Sequence, residues 1–122
     1  MLAAAGFAGL CAAQSPTGVT RTTLLREDLS AAGRETIQVL VQFATGAVFP
    51  GHSHPGEELV YVTEGSLEYA IAGRPPVTLE AGDVLFIPAR AVHAVRNVGK
   101  SRGAELATYI VETGQPLLVL AE

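Results

Sequence analysis

Turn-forming residues punctuate this chain roughly every ten residues from Thr20 to its end, a spacing that favours an all-β sandwich or barrel. Ile37, Val39, Val41 and Phe43 alternate with Gln38, Leu40 and Gln42, the period of two of a half-buried strand. Val48 to His52 reads as a short extended piece broken by Pro50 and Gly51. Leu59 to Thr63 is β-branched and aromatic, and Glu64-Gly65 after it reads as a hairpin turn to a return strand over Leu67 to Ile71. Ala72 to Pro76 turns the chain again, and further strands are expected at Val77–Leu79, Val84–Ile87, Val92–Val95 and Glu105–Val111. Helix is nearly absent. The best candidate is Arg26 to Ala32, where Glu27, Asp28 and Ser30 can start a turn and Gly33 stops it.

With 122 residues, 48% of them hydrophobic, the chain has enough apolar surface for one core and no room for a second folded unit. Its net charge is −4, and eight Lys and Arg are scattered singly from Arg21 to Arg102. That distribution suits no phosphate backbone, so nucleic acid is not an expected partner. A charged fraction of only 16% on so small a domain suggests that part of the surface is covered by a second subunit.

Residues 1–13 (MLAAAGFAGLCAA) are uncharged, rich in Ala and Leu, and end on small residues. They resemble the apolar core and cleavage site of an export signal without its positive leader. The domain proper is expected over residues 20–122. If residues 1–13 end a signal, the protein is periplasmic or secreted; otherwise they are an apolar terminus of a cytoplasmic protein. A stretch this short cannot span a bilayer as a helix. The single cysteine, Cys11, excludes an intrachain disulfide.

All three histidines fall in two short windows, one holding His52, His54 and Glu58, the other His93. Residues two apart on a strand point to one face, so His52 and His54 can offer imidazoles to a common point inside a barrel. Glu58 shares their parity once the chain has rounded Pro55-Gly56, and His93 must reach the point from another strand. Three neutral imidazoles and one carboxylate suit Fe, Mn, Ni, Co, Cu or Zn as the divalent ion, whereas Mg and Ca want more oxygen. Such a centre carries a net charge of about +1, which favours anionic or oxygen-donor ligands at an open position.

The two windows resemble the motifs of the cupin superfamily. The first, G-x5-H-x-H-x3-E-x6-G, is matched at Gly46, His52, His54, Glu58 and Gly65; the second, G-x5-P-x-G-x2-H-x3-N, at Gly82, Pro88, His93 and Asn97. The departure is Arg90, where the family has Gly. The resemblance implies a single jelly-roll-type β-barrel that commonly dimerises, with His52, His54, Glu58 and His93 as metal ligands.

Several residues have two roles open to them. Arg90 can face solvent, or reach the pocket mouth and hold an anionic group. Gln42 and Tyr109 can be inward hydrogen-bonding partners of a substrate or simple barrel filling. Glu57, of opposite parity to Glu58, is expected in solvent, Asp83 in a turn, and Asn97 as a hydrogen-bonding tie. Two functions follow. One is a metalloenzyme acting on a small molecule, dioxygenase-like or a Lewis-acid isomerase or lyase. The other is a binding module without turnover, suited by the lack, beyond the four ligand candidates, of any acidic or histidine side chain with a clear claim on the interior as a general acid or base.

Overall fold

The computed structural model describes residues 15–122; the apolar segment 1–13 lies outside the described residues. Ten strands follow in order: β1 Val19–Asp28, β2 Arg34–Phe43, β3 Val48–Ser53, β4 Gly56–Glu64, β5 Ser66–Ile71, β6 Val77–Glu80, β7 Val84–Ile87, β8 His93–Asn97, β9 Gly103–Glu112 and β10 Val119–Leu120. They form two five-stranded sheets in the orders β1-β2-β9-β4-β7 and β10-β3-β8-β5-β6. All strand pairs are antiparallel, and the two sheets face each other as a jelly-roll barrel.

Strand alternation decides what lies between the sheets. On β2, Ile37, Val39, Val41 and Phe43 are buried while Gln38, Leu40 and Gln42 are half-buried on the outer face. Phe49, Val60, Val62, Leu67, Tyr69 and Val95 complete the interior from the other strands. Asn97, buried at the end of β8, ties the fold at three points: its Nδ2 donates to the carbonyls of Phe43, Ala44 and Ser101 at 3.1, 3.2 and 2.9 Å. Its Oδ1 accepts from the Gly99 N–H at 2.9 Å. Asp83 sits in a turn, where its Oδ2 accepts from the Glu80 N–H.

The structure corrects two expectations. Arg26 to Ala32 forms no helix: β1 continues through Asp28, with Arg26, Glu27 and Asp28 opposite Ile37, Thr36 and Glu35 of β2. The window has no apolar stripe for a helix to bury, whereas the ladder to β2 satisfies its backbone and Arg26 forks onto Glu35 at 2.9 and 3.1 Å. The turn to β2 then closes at Gly33 with φ +73°. Glu64-Gly65, in turn, makes no hairpin. β4 and β5 lie in different sheets, and Gly65 is the corner where the chain crosses between them. Its φ is +76°, and a Cβ there would stand 2.7 Å from the Arg102 carbonyl oxygen, so only glycine makes this corner.

Candidate metal centre

β3 is kinked at Pro50-Gly51, where its register with β8 shifts between Phe49 and His52. Past that irregularity His52 lies directly opposite His93, which faces Ile71 of β5 on its other side. His54 sits in the link to β4, and Glu58 comes from the inward-facing set of β4 that includes Val60 and Val62. Four side chains from three strands and one link thus meet inside the barrel, each at most 4% exposed.

Their ring centroids are 4.2 Å apart for His52–His93, 5.0 Å for His52–His54 and 5.2 Å for His54–His93. One nitrogen from each imidazole lies within 4.8 Å of the others. Glu58 Oε1 stands 3.3 Å from His54 Nε2 and 3.2 Å from His93 Nε2.

The protonation pattern is set from outside the cluster. Each Nδ1 faces a backbone carbonyl: His52 that of Pro50 at 2.8 Å, His54 that of Leu117 at 2.7 Å, His93 that of Ala91 at 2.9 Å. A carbonyl only accepts, so each Nδ1 donates to it and each Nε2 is turned inward, offering a lone pair wherever the ring is neutral. Lone pairs then face a carboxylate oxygen, acceptor against acceptor. His54 Nε2 and Glu58 Oε1 are both fully buried without a hydrogen-bond partner.

Burial pushes His52 down to about 3, with repulsion from His93 adding to it, so this ring stays neutral at ordinary pH. Burial would raise the Glu58 carboxyl; without an ion, only protons on His54 and His93 Nε2 would supply the hydrogen bonds and attraction that hold it down at about 2. Burial likewise lowers His93, while Glu58 more than offsets this and raises it. The cluster calls for positive charge between its members. One divalent cation satisfies three nitrogen lone pairs and a carboxylate at once, and the donor set fits such an ion.

Around this centre, Tyr109 of β9 lies opposite Glu58 in the sheet register, and its ring packs on that of His54 with centroids 4.5 Å apart. Both roles open to it place it inside the barrel, and it is buried there. Burial, reinforced by Glu58, pushes its phenol far up, so the group remains a hydrogen-bond donor. Gln42 is corrected to the outer face: it shares the parity of Gln38 and Leu40 and cannot reach the interior. Arg90 is also corrected. Its side chain is 62% exposed and pairs with Glu112 at 2.7 Å on the surface. It accepts φ +64° where glycine would be at ease, and its contribution near the site is a backbone N–H donated to the His54 carbonyl at 3.1 Å. Glu57 is half-buried on the opposite face of β4 from Glu58.

Two buried carboxylates escaped the sequence expectation: Glu35, which pairs with Arg26, and Glu105. Glu105 of β9 is 4% exposed and accepts a short hydrogen bond from the Tyr69 hydroxyl. Burial and the charge of Glu58 push its carboxyl up to about 8, against smaller opposing effects of Tyr69, Arg21 and His93. The signal for it was parity. Glu105 lies four residues before Tyr109 on one strand, so whatever places one inside places the other inside too.

Residues 39–116, well over half of the chain, match the cupin domain family. The chain belongs to that family. Among curated proteins, this cupin is 37% identical over 57 residues to the dimethylsulfoniopropionate lyase DddQ of Ruegeria pomeroyi, a stretch covering 47% of this chain and 28% of the lyase. The solved structure of that lyase superposes with a TM-score of 0.70 at 24% identity, covering 84% of this chain and 51% of the other. A solved oxalate oxidase superposes at 0.71 with 26% identity, covering 88% of this chain and 57% of that one. A cupin superfamily protein of Desulfitobacterium hafniense is similar over 80% of this chain and 81% of its own, with a TM-score of 0.66 at 23% identity. The chain therefore spans about half or less of the lyase's length, and with the Desulfitobacterium protein the likeness is one of fold.

Proposed function

We propose that this cupin is a metal-dependent enzyme acting on a small molecule, with one divalent transition ion held by His52, His54, Glu58 and His93. The observation that carries the reading is the inward set of Nε2 lone pairs, fixed by three backbone carbonyls and facing an unpartnered buried carboxylate oxygen. An ion bound there supplies Lewis acidity and, for a redox-active metal, a site for dioxygen chemistry. The chain's own part is to hold that charge in a dry interior, with the Tyr109 phenol available to donate a hydrogen bond from beside His54.

Lewis-acid lyase or isomerase chemistry is supported by the 37% identity to a lyase, and oxygen-dependent chemistry by the likeness in fold to an oxalate oxidase. Oxygen uptake by the metal-loaded protein in a closed cell separates the two.

The reading is tested by elemental analysis of the native protein. Near-stoichiometric transition metal is expected, and His54→Ala should abolish both metal and turnover while the protein stays folded. Wild-type protein that folds and acts equally well after its metal is stripped would sink the proposal.

We propose further that the protein is a homodimer. The outer face of β4 and β7 exposes Leu59, Tyr61, Val84 and Phe86, at 43%, 46%, 69% and 54%. A depression of about 430 Å³ lies among them, with no histidine in its lining. A contiguous apolar face on a chain with so little charge is the surface a second copy would cover.

A further inference from the structure

A second cavity, of about 370 Å³, opens between the edge strand β1 and the segment before β10, and Arg21, Thr23, Val39, Pro116, Leu117 and Leu118 line it. Its size is that of a small-ligand site. It adjoins the metal centre through two of its walls. The Leu117 carbonyl is the partner of His54 Nδ1. On the other side, Arg21 reaches Tyr109, whose ring packs on His54.

Arg21 is the cation that the strand pattern turns inward. It stands opposite Val41, which stands opposite Glu105, so all three lie on one row across the inner face of the sheet. The guanidinium Cζ lies 5.9 Å from the centre of the Phe49 ring and 5.8 Å from that of Tyr109. Those two rings are themselves packed on His52 and His54. Two aromatic faces hold the guanidinium plane by cation–π contact. Its one side-chain hydrogen bond is a long one, Nη1 to the Tyr109 hydroxyl at 3.4 Å. Among the described residues no carboxylate lies within ion-pair distance of it, whereas Arg26, Arg90, Arg96 and Arg102 each have one.

A half-buried guanidinium beside two aromatic rings, with most of its donors unspent and lining a cavity, is a fork for a planar anion. We propose that this cavity is the substrate pocket of the metal centre and that Arg21 selects small organic carboxylates, holding the carboxylate while the rest of the molecule extends past Tyr109. The proposal rests on the metal-enzyme reading for the word substrate, but the anion pocket itself does not need the metal.

The test uses propionate as probe and propionamide as its uncharged counterpart. Each is titrated into the full chain, metal-free and loaded with one equivalent of Zn(II), with affinities read from protein NMR shifts. Wild type should bind propionate saturably in both forms, and propionamide at least about tenfold more weakly. Arg21→Gln should weaken propionate by about tenfold or more and leave propionamide and zinc content unchanged. Arg21→Lys, which keeps charge and loses the fork, should fall between them. His93→Ala, which removes a metal ligand without touching the cavity wall, should lose zinc and keep propionate binding. Absence of saturable propionate binding by wild type overturns the proposal. So does an affinity unchanged by Arg21→Gln, or binding that appears only with zinc and ignores Arg21, since the carboxylate then sits on the metal. Should wild type take up no zinc yet show the Arg21 dependence, the metal reading fails and the anion pocket stands.

Discussion

Glu105 makes the stability of the metal-free protein depend on pH in a way that one substitution can isolate. Its carboxyl titrates near 8 in the fold against 4.5 in an open chain, because it is buried and shares the interior with ionised Glu58. Below pH 4.5 the group is protonated in both states, and its contribution to stability is complete. Between 4.5 and 8 the unfolded chain releases the proton while the folded chain keeps it, so stability falls as the pH rises. Above 8 the loss is constant, on the order of 5 kcal/mol from the two pKa values. Glu105→Gln keeps the shape and the acceptor for Tyr69 and removes the titration. Urea unfolding of chelator-treated protein at pH 5, 7 and 9 reads the effect. The two proteins should match to within about 1 kcal/mol at pH 5 and diverge progressively, the Gln variant being the more stable by several kcal/mol at pH 9. A bound divalent ion draws the Glu105 carboxyl down, so the divergence should shrink when metal is restored. Parallel stabilities of the two metal-free proteins from pH 5 to pH 9 would refute the reasoning, for burial beside Glu58 would then carry no titration cost.

Asn97→Ala strips three carbonyls and one N–H of their partner and should cost about 3 kcal/mol by urea unfolding, with metal content per folded molecule unchanged. A loss below 1 kcal/mol would mean that water replaces the side chain at no penalty. Phe86→Glu places a charge in the apolar face of β4 and β7 and should shift the sedimenting species from dimer to monomer with the metal site intact. A wild type that sediments as a monomer removes the dimer from the account.

What the sequence disclosed and what it withheld divide along a physical line. The metal-ligand candidates were legible because two of them stand two residues apart, although His54 lies in the link after β3 and not on its face, and both windows carry turn residues at fixed offsets. The inward role left open for Gln42 was a misreading of a legible signal: the alternation that places Val41 and Phe43 inside places Gln42 outside, and the structure follows the alternation. The Gly65 corner was not, since a glycine between two strands reads alike whether the strands pair or part into different sheets, and only distant partners decide it. β1 failed for a related reason. It is an edge strand mostly of Thr, Arg, Glu and Asp whose two leucines, Leu24 and Leu25, are exposed and whose one buried residue is Val19, so its alternation carries no hydrophobic signal and its helix-compatible stretch is overridden by the ladder to β2.

Arg21 and Glu105 were hidden by that same weakness of signal, and they show what interior polar residues require. A charge on an inward position reads as an error of pattern unless its row across the sheet is known. Here the row runs from Arg21 through Val41 to Glu105 and on to Val62. Glu105 occupies the row's closed middle, where burial and Glu58 favour its neutral form. Arg21 occupies its edge beside the cavity, half in contact with water, where a guanidinium keeps its charge and needs a partner only when a ligand enters. Position along one inner row thus separates a carboxyl that cannot ionise without cost from a cation that can wait charged. The proposed anion pocket at the rim, with the proposed metal beyond it, rests on that gradient of burial as much as on the identity of the residues.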